Sequence, residues 1–390
     1  MDKLNFKDFQ LSNTILESLN KLGYNSPSKV QEKVIPLVLK DKDIVVKSQT
    51  GSGKTAAYAI PICEKTEIEE KNPQALVLTP TRELALQIKE DFSYIGRLKK
   101  INCTALFGKE PISLQIERLK QRVHVVTGTP GRILDHIERN TLILEKIKYL
   151  VIDEADEMLS RGFMEQVETV INKLPKNRTT LLFSATIPGQ ILKLCTVYMR
   201  NPINIEVQCK NSVKDRIKQI YYKVEAPCKF SLLNKIIYTK RPESSMIFCR
   251  TKNNVDDLVL QMKAKNYSCE ALHGGMLQSE RIDKIQSFKR GKFTFLVCTD
   301  IAARGIDVEN ITHIINYDIP VERENYIHRI GRTGRFTNNG TAITFVTPKE
   351  YPYLKKIEEH FHITINEGKI PSLKEIETGK KLFYEKLKSA

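Results

Sequence analysis

A chain of 390 residues exceeds what one ordinary hydrophobic core organises, so two domains are expected. With 41% hydrophobic and 28% charged residues, no uncharged apolar run of bilayer length and a start (MDKLNFKDFQ) without the apolar stretch of a secretion signal, the composition argues against a membrane or exported protein and for a cytoplasmic one. The formal charge of +16 is spread over both halves, 30 Lys and Arg against 24 Asp and Glu in residues 1–200 and 32 against 22 in residues 201–390, which excludes a lone basic tail and points to a polyanion touching both domains.

In chain order, short apolar runs occur at 43–47, 75–79, 124–128, 149–153 and 180–184, then at 219–224, 245–250, 293–299, 313–317 and 341–346. Runs apolar on both faces suit parallel strands covered by helices on each side. The segments between them carry helical periodicity; in 82–95, Leu84, Ala85, Ile88, Phe92 and Ile95 share one face. The fold class is therefore α/β, two tandem domains at 1–206 and 217–365, each a mostly parallel sheet flanked by helices. A polar, basic linker is expected at 207–216, and a tail at 366–390 whose alternating charges predict a solvated helix or a frayed end. The eight cysteines form no CxxC pair and several sit inside strand-like runs, as Cys249 and Cys298 do; the seven histidines show no ligand spacing. Reduced, buried thiols are expected, not disulfides or zinc.

Behind the first run stand Ser48, Gln49, Thr50, Gly51, Ser52, Gly53, Lys54 and Thr55. The glycines let the backbone curl so that successive N–H groups face inward, and the following helix presents its N-terminus to phosphate. Lys54 supplies a mobile cation for the β and γ phosphates of a nucleotide, and the Thr55 hydroxyl suits Mg²⁺. Ser48 takes the place of the usual first glycine, away from the phosphate-touching positions. At the end of the fourth run come Asp153, Glu154 and Asp156, where Asp153 can hold Mg²⁺ and Glu154 can orient or deprotonate an attacking water.

As an ordered set, these and further motifs resemble the DEAD-box RNA helicases over nearly the whole chain. Phe6, Gly23-Tyr24, Pro27-Ser28 and Gln31 resemble the family's adenine-reading segment; Gln31 is then expected to bond the adenine edge and Phe6 to stack on it, with Phe9 a competitor for that role. Ser184-Ala185-Thr186 resembles the motif that couples the γ-phosphate region to RNA. Pro80-Thr81-Arg82 and Thr129-Pro130-Gly131-Arg132 resemble the first domain's RNA-binding junctions. The family's Gly-Gly pair is here Gly108-Lys109: one glycine is lost and a cation gained. In the second half, Arg250-Thr251, Gly274 and Thr299 match RNA-side positions, Gly305 and Asp307 nucleotide-side ones, and His328 to Arg335 the last motif. The resemblance implies His328 as a coupling residue beside Ser184, Thr186 and Asp156, and Arg332 and Arg335 as arginine fingers on the γ-phosphate.

What the resemblance implies is an RNA-stimulated ATPase with two RecA-like domains, using ATP and Mg²⁺, whose closure on RNA bends one strand and opens short duplexes locally. A clamp that holds RNA without unwinding and a DNA-directed translocase remain alternatives. The Leu106–Lys109 and Phe248–Lys252 stretches are similar to those of bacterial helicases directed at ribosomal RNA, which implies ribosomal RNA as a partner and ribosome assembly as a role; those helicases add a C-terminal RNA-binding domain that this chain, ending at Ala390, is expected to lack. A monomer is expected.

Overall fold

Strands β1 (Ile44–Lys47), β2 (Ala75–Leu78), β3 (Cys103–Leu106), β4 (Val125–Gly128), β5 (Tyr149–Ile152), β6 (Thr179–Ser184) and β7 (Ile203–Glu206) form one sheet in the order β3-β4-β2-β5-β6-β1-β7, every pair parallel. Strands β8 (Ile217–Lys223), β9 (Ser245–Phe248), β10 (Cys269–Leu272), β11 (Phe295–Cys298), β12 (His313–Asn316), β13 (Gly340–Val346) and β14 (Asn366–Glu367) form a second parallel sheet, β10-β11-β9-β12-β13-β8-β14. Counted from its own first strand, the second sheet has the strand order of the first, so the two halves repeat one architecture. The computed structural model describes residues 4–48, 52–207, 217–303, 308, 311–334 and 340–388. The chain divides into two compact units, Met1–Gln208 and Cys209–Ala390, a division that falls inside the expected linker.

The double-sided apolar character of the central strands is what the two layers of helices need. Alternate residues of β2 and β5 go to opposite cores: Ala75, Val77, Tyr149 and Val151 to one, Leu76, Leu78, Leu150 and Ile152 to the other. The second sheet does the same with Met246 and Phe248 against Ile247 and Cys249. Each fully buried aliphatic side chain contributes roughly 1.5–3 kcal/mol.

Segment 366–390 behaves differently from the expected solvated or frayed tail. β14 adds to the sheet beside β8, and the helix Leu373–Lys388 lays one face on the helix Lys229–Lys240. Phe383 packs against Tyr238 and Tyr267 with ring centroids 5.6 and 5.1 Å away. Gly379 allows the crossing, since a Cβ there would stand 2.2 Å from the Tyr238 carbonyl oxygen. The alternating charges occupy the other face; the apolar anchors are too few to stand out in the sequence.

In the first unit every described candidate residue outside the N-terminal segment lies at the carboxyl edge of the sheet, where open parallel sheets gather ligands. β6 stands between β1 and β5, which brings the phosphate loop, Ser184 and the acidic cluster side by side.

Candidate nucleotide and nucleic-acid sites

The loop after β1 is held from two sides. The Ser48 N–H donates to the Ser184 carbonyl (3.0 Å), pinning the loop to the end of β6. On the other side, Gly53 has φ +87, a left-handed conformation in which glycine is unstrained, and caps the helix Lys54–Lys65. A Cβ at Gly53 would meet Gln31 Nε2 at 2.7 Å, so the absence of a side chain is what admits the glutamine. Gln31 spends its carboxamide on this region: Nε2 donates to the Gly53 carbonyl (3.2 Å) and Oε1 accepts from the Ser28 N–H (2.9 Å), while the Ser28 hydroxyl donates to the Ser52 carbonyl (2.9 Å). Gln31 is 3% exposed. The expected adenine reader is therefore first of all a brace of the phosphate loop. Phe6 is likewise buried, edge-on to Phe9 and Tyr24. Gln49, Thr50 and Gly51 lie outside the described residues.

Lys54, buried at the start of its helix, donates from Nζ to the Ser48 carbonyl (3.4 Å), and Thr55 follows it on the first helical turn, where backbone N–H groups have no helical partner. Asp153, at the end of β5, is 3% exposed. Its Oδ1 accepts from the Glu154 N–H (2.9 Å) and its Oδ2 from the Tyr58 hydroxyl (2.9 Å). Burial raises the Asp153 carboxyl above its ordinary value, against the opposing pull of the Lys54 cation and then of the Tyr58 bond. The Tyr58 phenol meets both the Asp153 carboxylate and the Thr55 side chain, and a carboxylate and a hydroxyl are oxygen donors suited to a hard cation. Glu154 has φ +54, a left-handed backbone that costs a non-glycine residue roughly 1–2 kcal/mol and is common where function dictates geometry.

Asp156, Ser184 and Thr186 close a ring. The Asp156 N–H donates to Ser184 Oγ (3.1 Å), whose hydroxyl donates to the Thr186 carbonyl (2.6 Å). Thr186 returns its N–H (3.0 Å) and hydroxyl (3.2 Å) to Asp156 Oδ2. Three of the four expected coupling residues thus meet; the fourth, His328, belongs to the second unit.

Along the same edge, Thr81 follows the buried Pro80 and caps the helix Arg82–Ile95, its Oγ1 accepting from the Leu84 N–H (3.2 Å). The Arg82 guanidinium lies over Gly108, 3.6 Å from where a Cβ would stand. Thr129 precedes the helix Pro130–Glu138 and its hydroxyl makes no capping bond; Gly131 is exposed. Arg132, expected to meet phosphate, makes contacts within the protein. Its Nη1 donates to the Glu110 carbonyl (3.0 Å) and to Gln115 Oε1 (3.1 Å), and its Nε faces Asp135 Oδ2 at 3.6 Å. It positions the turn.

Gln115 is the hub of that arrangement. Its Nε2 donates to the Phe107 carbonyl (2.9 Å) and Glu110 Oε2 (2.7 Å), so its Oε1 must accept, from Arg132 and from the His136 ring at 3.0 Å. His136 therefore carries a proton on Nε2, and its Nδ1 lies 2.8 Å from the hydroxyl of Thr141, which also donates to the His136 carbonyl (3.1 Å). Burial first, and Arg132 second, push its pKa down to about 4. Because the folded pKa lies below the unfolded one near 6.5, the stability His136 carries is full above pH ~6.5 and is lost as pH falls toward 4. Between pH ~7.5 and ~5 the loss is expected to be about 2 kcal/mol. It is the part of the decline in urea resistance that His136→Asn should abolish; an identical decline in that variant would refute the assignment.

In the second unit, Thr251 caps the helix Lys252–Lys263 by accepting from the Asn254 N–H (3.2 Å). The Arg250 N–H donates to Asp318 Oδ2 (2.9 Å), and its Nη2 reaches Glu350 (3.0 Å). Asp318 Oδ1 takes the buried Lys229 ammonium at 2.8 Å. Burial would raise the Asp318 carboxyl, but Lys229 and the donors facing it hold it below its ordinary value. Gly274 is exposed with open space around it, and Thr299 follows β11, its N–H on the Leu272 carbonyl (3.3 Å). Phe248, Asp300, Ala303, Asn325, His328, Arg329 and Arg332 line a shallow cleft. Arg329 fills its floor: Nε and Nη2 grip Asp300 at 2.5 and 2.7 Å, Nη1 donates to Asn316 and the Asp318 carbonyl, and the guanidinium lies 5.0 Å over Phe248. Arg332 is 7% exposed and donates from Nε to the His328 carbonyl (3.2 Å). Gly305, Asp307 and Arg335 lie outside the described residues.

Tyr58, Gln115, His136, Lys229, Asp318 and Arg329 were not singled out in the sequence. Tyr58 stands one helical turn after Lys54, a cue for a phenol beside the loop. Asp318 ends a buried strand much as Asp153 does, a cue already used once. The hub gave no cue, since Gln115 and His136 meet only through tertiary structure.

Among the described residues no group of His, Cys, Asp and Glu is arranged to hold a metal by itself, and no helix is long and apolar enough to cross a membrane. Residues 28–194 match the family model of the DEAD/DEAH box helicases and residues 228–337 that of the helicase conserved C-terminal domain. The ATP-dependent RNA helicase DbpA of Bacillus subtilis is 52% identical over 382 residues, 98% of this chain and 80% of the relative. The DEAD-box ATP-dependent RNA helicase CshA of Geobacillus kaustophilus is 41% identical over 98% of this chain and 82% of its own length. Among solved structures, Dbp5 of S. cerevisiae bound to RNA and ADP BeF3 aligns with 97% of this chain and 99% of its own, with a TM-score of 0.86 and 32% identity. With the phosphate loop, the carboxylates at the end of β5 and the arginines of the second unit in the family's order, this chain belongs to the DEAD-box ATP-dependent RNA helicases.

Proposed function

We propose that this helicase hydrolyses ATP on its first unit only when arginines of the second unit and a strand of RNA complete the site, and that the cycle opens short RNA duplexes locally. The observation that carries the reading is the ring of Asp156, Ser184 and Thr186. It ties the strand end that bears the acidic cluster to the one that pins the phosphate loop. A change at the γ-phosphate therefore has a mechanical route into the sheet edge, which also carries Thr81, Arg82, Thr129 and Gly131.

In this scheme Lys54 neutralises β and γ oxygens and the N–H groups at the start of its helix face the phosphates. Thr55 and Asp153 are the residues that would hold Mg²⁺, which supplies charge neutralisation and polarises the phosphoryl group. The buried Asp153 carboxyl, strained toward its neutral form, fits that task because a cation relieves the cost of its charge. Glu154 accepts the proton of the attacking water, and Arg332 and Arg335 stabilise charge developing on the transferred phosphoryl group. RNA is gripped through phosphates and 2′-hydroxyls, which gives little sequence preference and a steep salt dependence. Ribosomal RNA as the substrate, in ribosome assembly, and a monomeric state complete the proposal.

Turnover of ATP with RNA and with DNA of the same sequence tests it. RNA should stimulate turnover strongly and DNA little; equal stimulation by both would remove the 2′-hydroxyl from the recognition.

A further inference from the structure

The helix Lys54–Lys65 carries a tyrosine whose hydroxyl is not called for by packing alone. Tyr58 is fully buried, its ring against Phe92 and Phe183 with centroids 6.2 and 5.1 Å away. A phenylalanine would fill that space equally well. Taking a hydroxyl out of water costs free energy unless it finds a partner, and here the partner is the acid at the end of β5. Tyr58 donates to Asp153 Oδ2 (2.9 Å), while Oδ1 takes the Glu154 N–H (2.9 Å). Among the described residues these two hydrogen bonds are all that the Asp153 carboxylate makes, and it forms no ion pair; Lys54, whose charge acts on it, gives its Nζ to the Ser48 carbonyl (3.4 Å). The Thr55 side chain adjoins the same phenol. With its own proton committed to Asp153, the phenol oxygen can only accept from Thr55.

We infer that Tyr58 is a positioning residue for the Mg²⁺ that accompanies the nucleotide: its hydroxyl fixes the Asp153 carboxylate and draws the Thr55 proton to itself, so that both oxygen donors are set before the nucleotide arrives. The inference rests on the reading of Thr55 and Asp153 as the residues that hold Mg²⁺. The phenol has firm backing. Phe183 stands next to Ser184 of the coupling ring and Phe92 lies in the helix Arg82–Ile95, so the hydroxyl cannot swing away without displacing the core. A carboxylate already fixed loses little rotamer freedom on taking a cation. Groups that orient the ligands of a metal typically change its affinity roughly 10- to 100-fold.

The test uses the full chain without RNA and a fluorescent ADP, whose binding is followed as Mg²⁺ is titrated and again in excess chelator. Tyr58→Phe should raise the Mg²⁺ concentration at half effect about 10-fold or more and leave the affinity in chelator unchanged. Asp153→Ala should raise it too, and Tyr58→Phe added to that variant should change nothing further, because the bond is already gone. A Tyr58→Phe chain that titrates with Mg²⁺ as the parent does, whatever its melting temperature, would leave the hydroxyl a purely structural group and overturn the inference, provided Asp153→Ala is impaired. If Asp153→Ala also titrates like the parent, the assignment of the Mg²⁺ holders falls and Tyr58 with it. Should Tyr58→Phe not fold, a ring-fluorinated tyrosine placed at position 58 serves instead. Its fluorine resonance should move when Mg²⁺ joins the ADP complex, and an unmoved resonance would refute the role.

Discussion

Glu154→Gln is expected to lower the turnover number for ATP by roughly 10²–10⁴-fold while leaving the affinities for ATP and RNA close to those of the parent chain. The substitution keeps the volume and one hydrogen-bond acceptor of the side chain but removes its ability to take a proton. The backbone contribution of Glu154 is unaffected by the change: its N–H holds Asp153 Oδ1 (2.9 Å) and its left-handed φ of +54 starts the helix Ala155–Ser160. A helicase that binds but cannot hydrolyse should accumulate in its RNA-bound state. The check is a single-turnover measurement of phosphate formation alongside RNA dissociation in the presence of ATP. Rapid RNA release, or turnover within a few-fold of the parent, would place the base elsewhere.

Arg332→Ala is expected to reduce turnover by about 10³-fold or more, with ATP binding to the first unit nearly unchanged. Arg332 is held in place within the second unit. It is 7% exposed, anchored through Nε to the His328 carbonyl (3.2 Å), and lines the cleft whose floor is the Arg329–Asp300 pair. Arg329, by contrast, is structural; its guanidinium is consumed by Asp300, Asn316 and the Asp318 carbonyl. Arg332→Lys should restore little, because an ammonium cannot reproduce the planar fork of the guanidinium. Measuring the burst and the steady state with saturating RNA separates chemistry from binding, and an alanine variant with parental turnover would remove Arg332 from the catalytic set.

Much of this was legible in the sequence because two kinds of signal coincide. Double-sided apolar runs identified the buried strands, and the strands not anticipated, β3, β7, β10 and β14, are the four edges of the two sheets. β7 buries one of its four residues and both residues of β14 are exposed, so neither has an apolar run; β3 and β10 are largely buried, but Thr104 and Glu270 break their apolar runs. The phosphate loop and the carboxylates of the first unit could be placed because glycine, lysine and acid spacings there are set by local backbone geometry. The hub of Gln115, His136 and Arg132 was not legible, since its members, though less than two dozen residues apart, come from two helices and bond only once the sheet has formed. The protein contacts of Arg132 were hidden for the same reason: an arginine at a strand-to-helix junction serves phosphate or protein equally well until its neighbours are known. The buried Lys229–Asp318 pair, whose disruption would cost roughly 3–5 kcal/mol, likewise joins residues far apart in the chain.

In the proposed cycle, nucleotide and RNA bind to one coupled device. The most direct test is to measure the affinity for RNA with and without a non-hydrolysable ATP analogue, and the affinity for that analogue with and without RNA, on the intact chain. Linkage requires the two ratios to be equal, and the account predicts a common factor well above one. An affinity for RNA that is the same with and without nucleotide would contradict it.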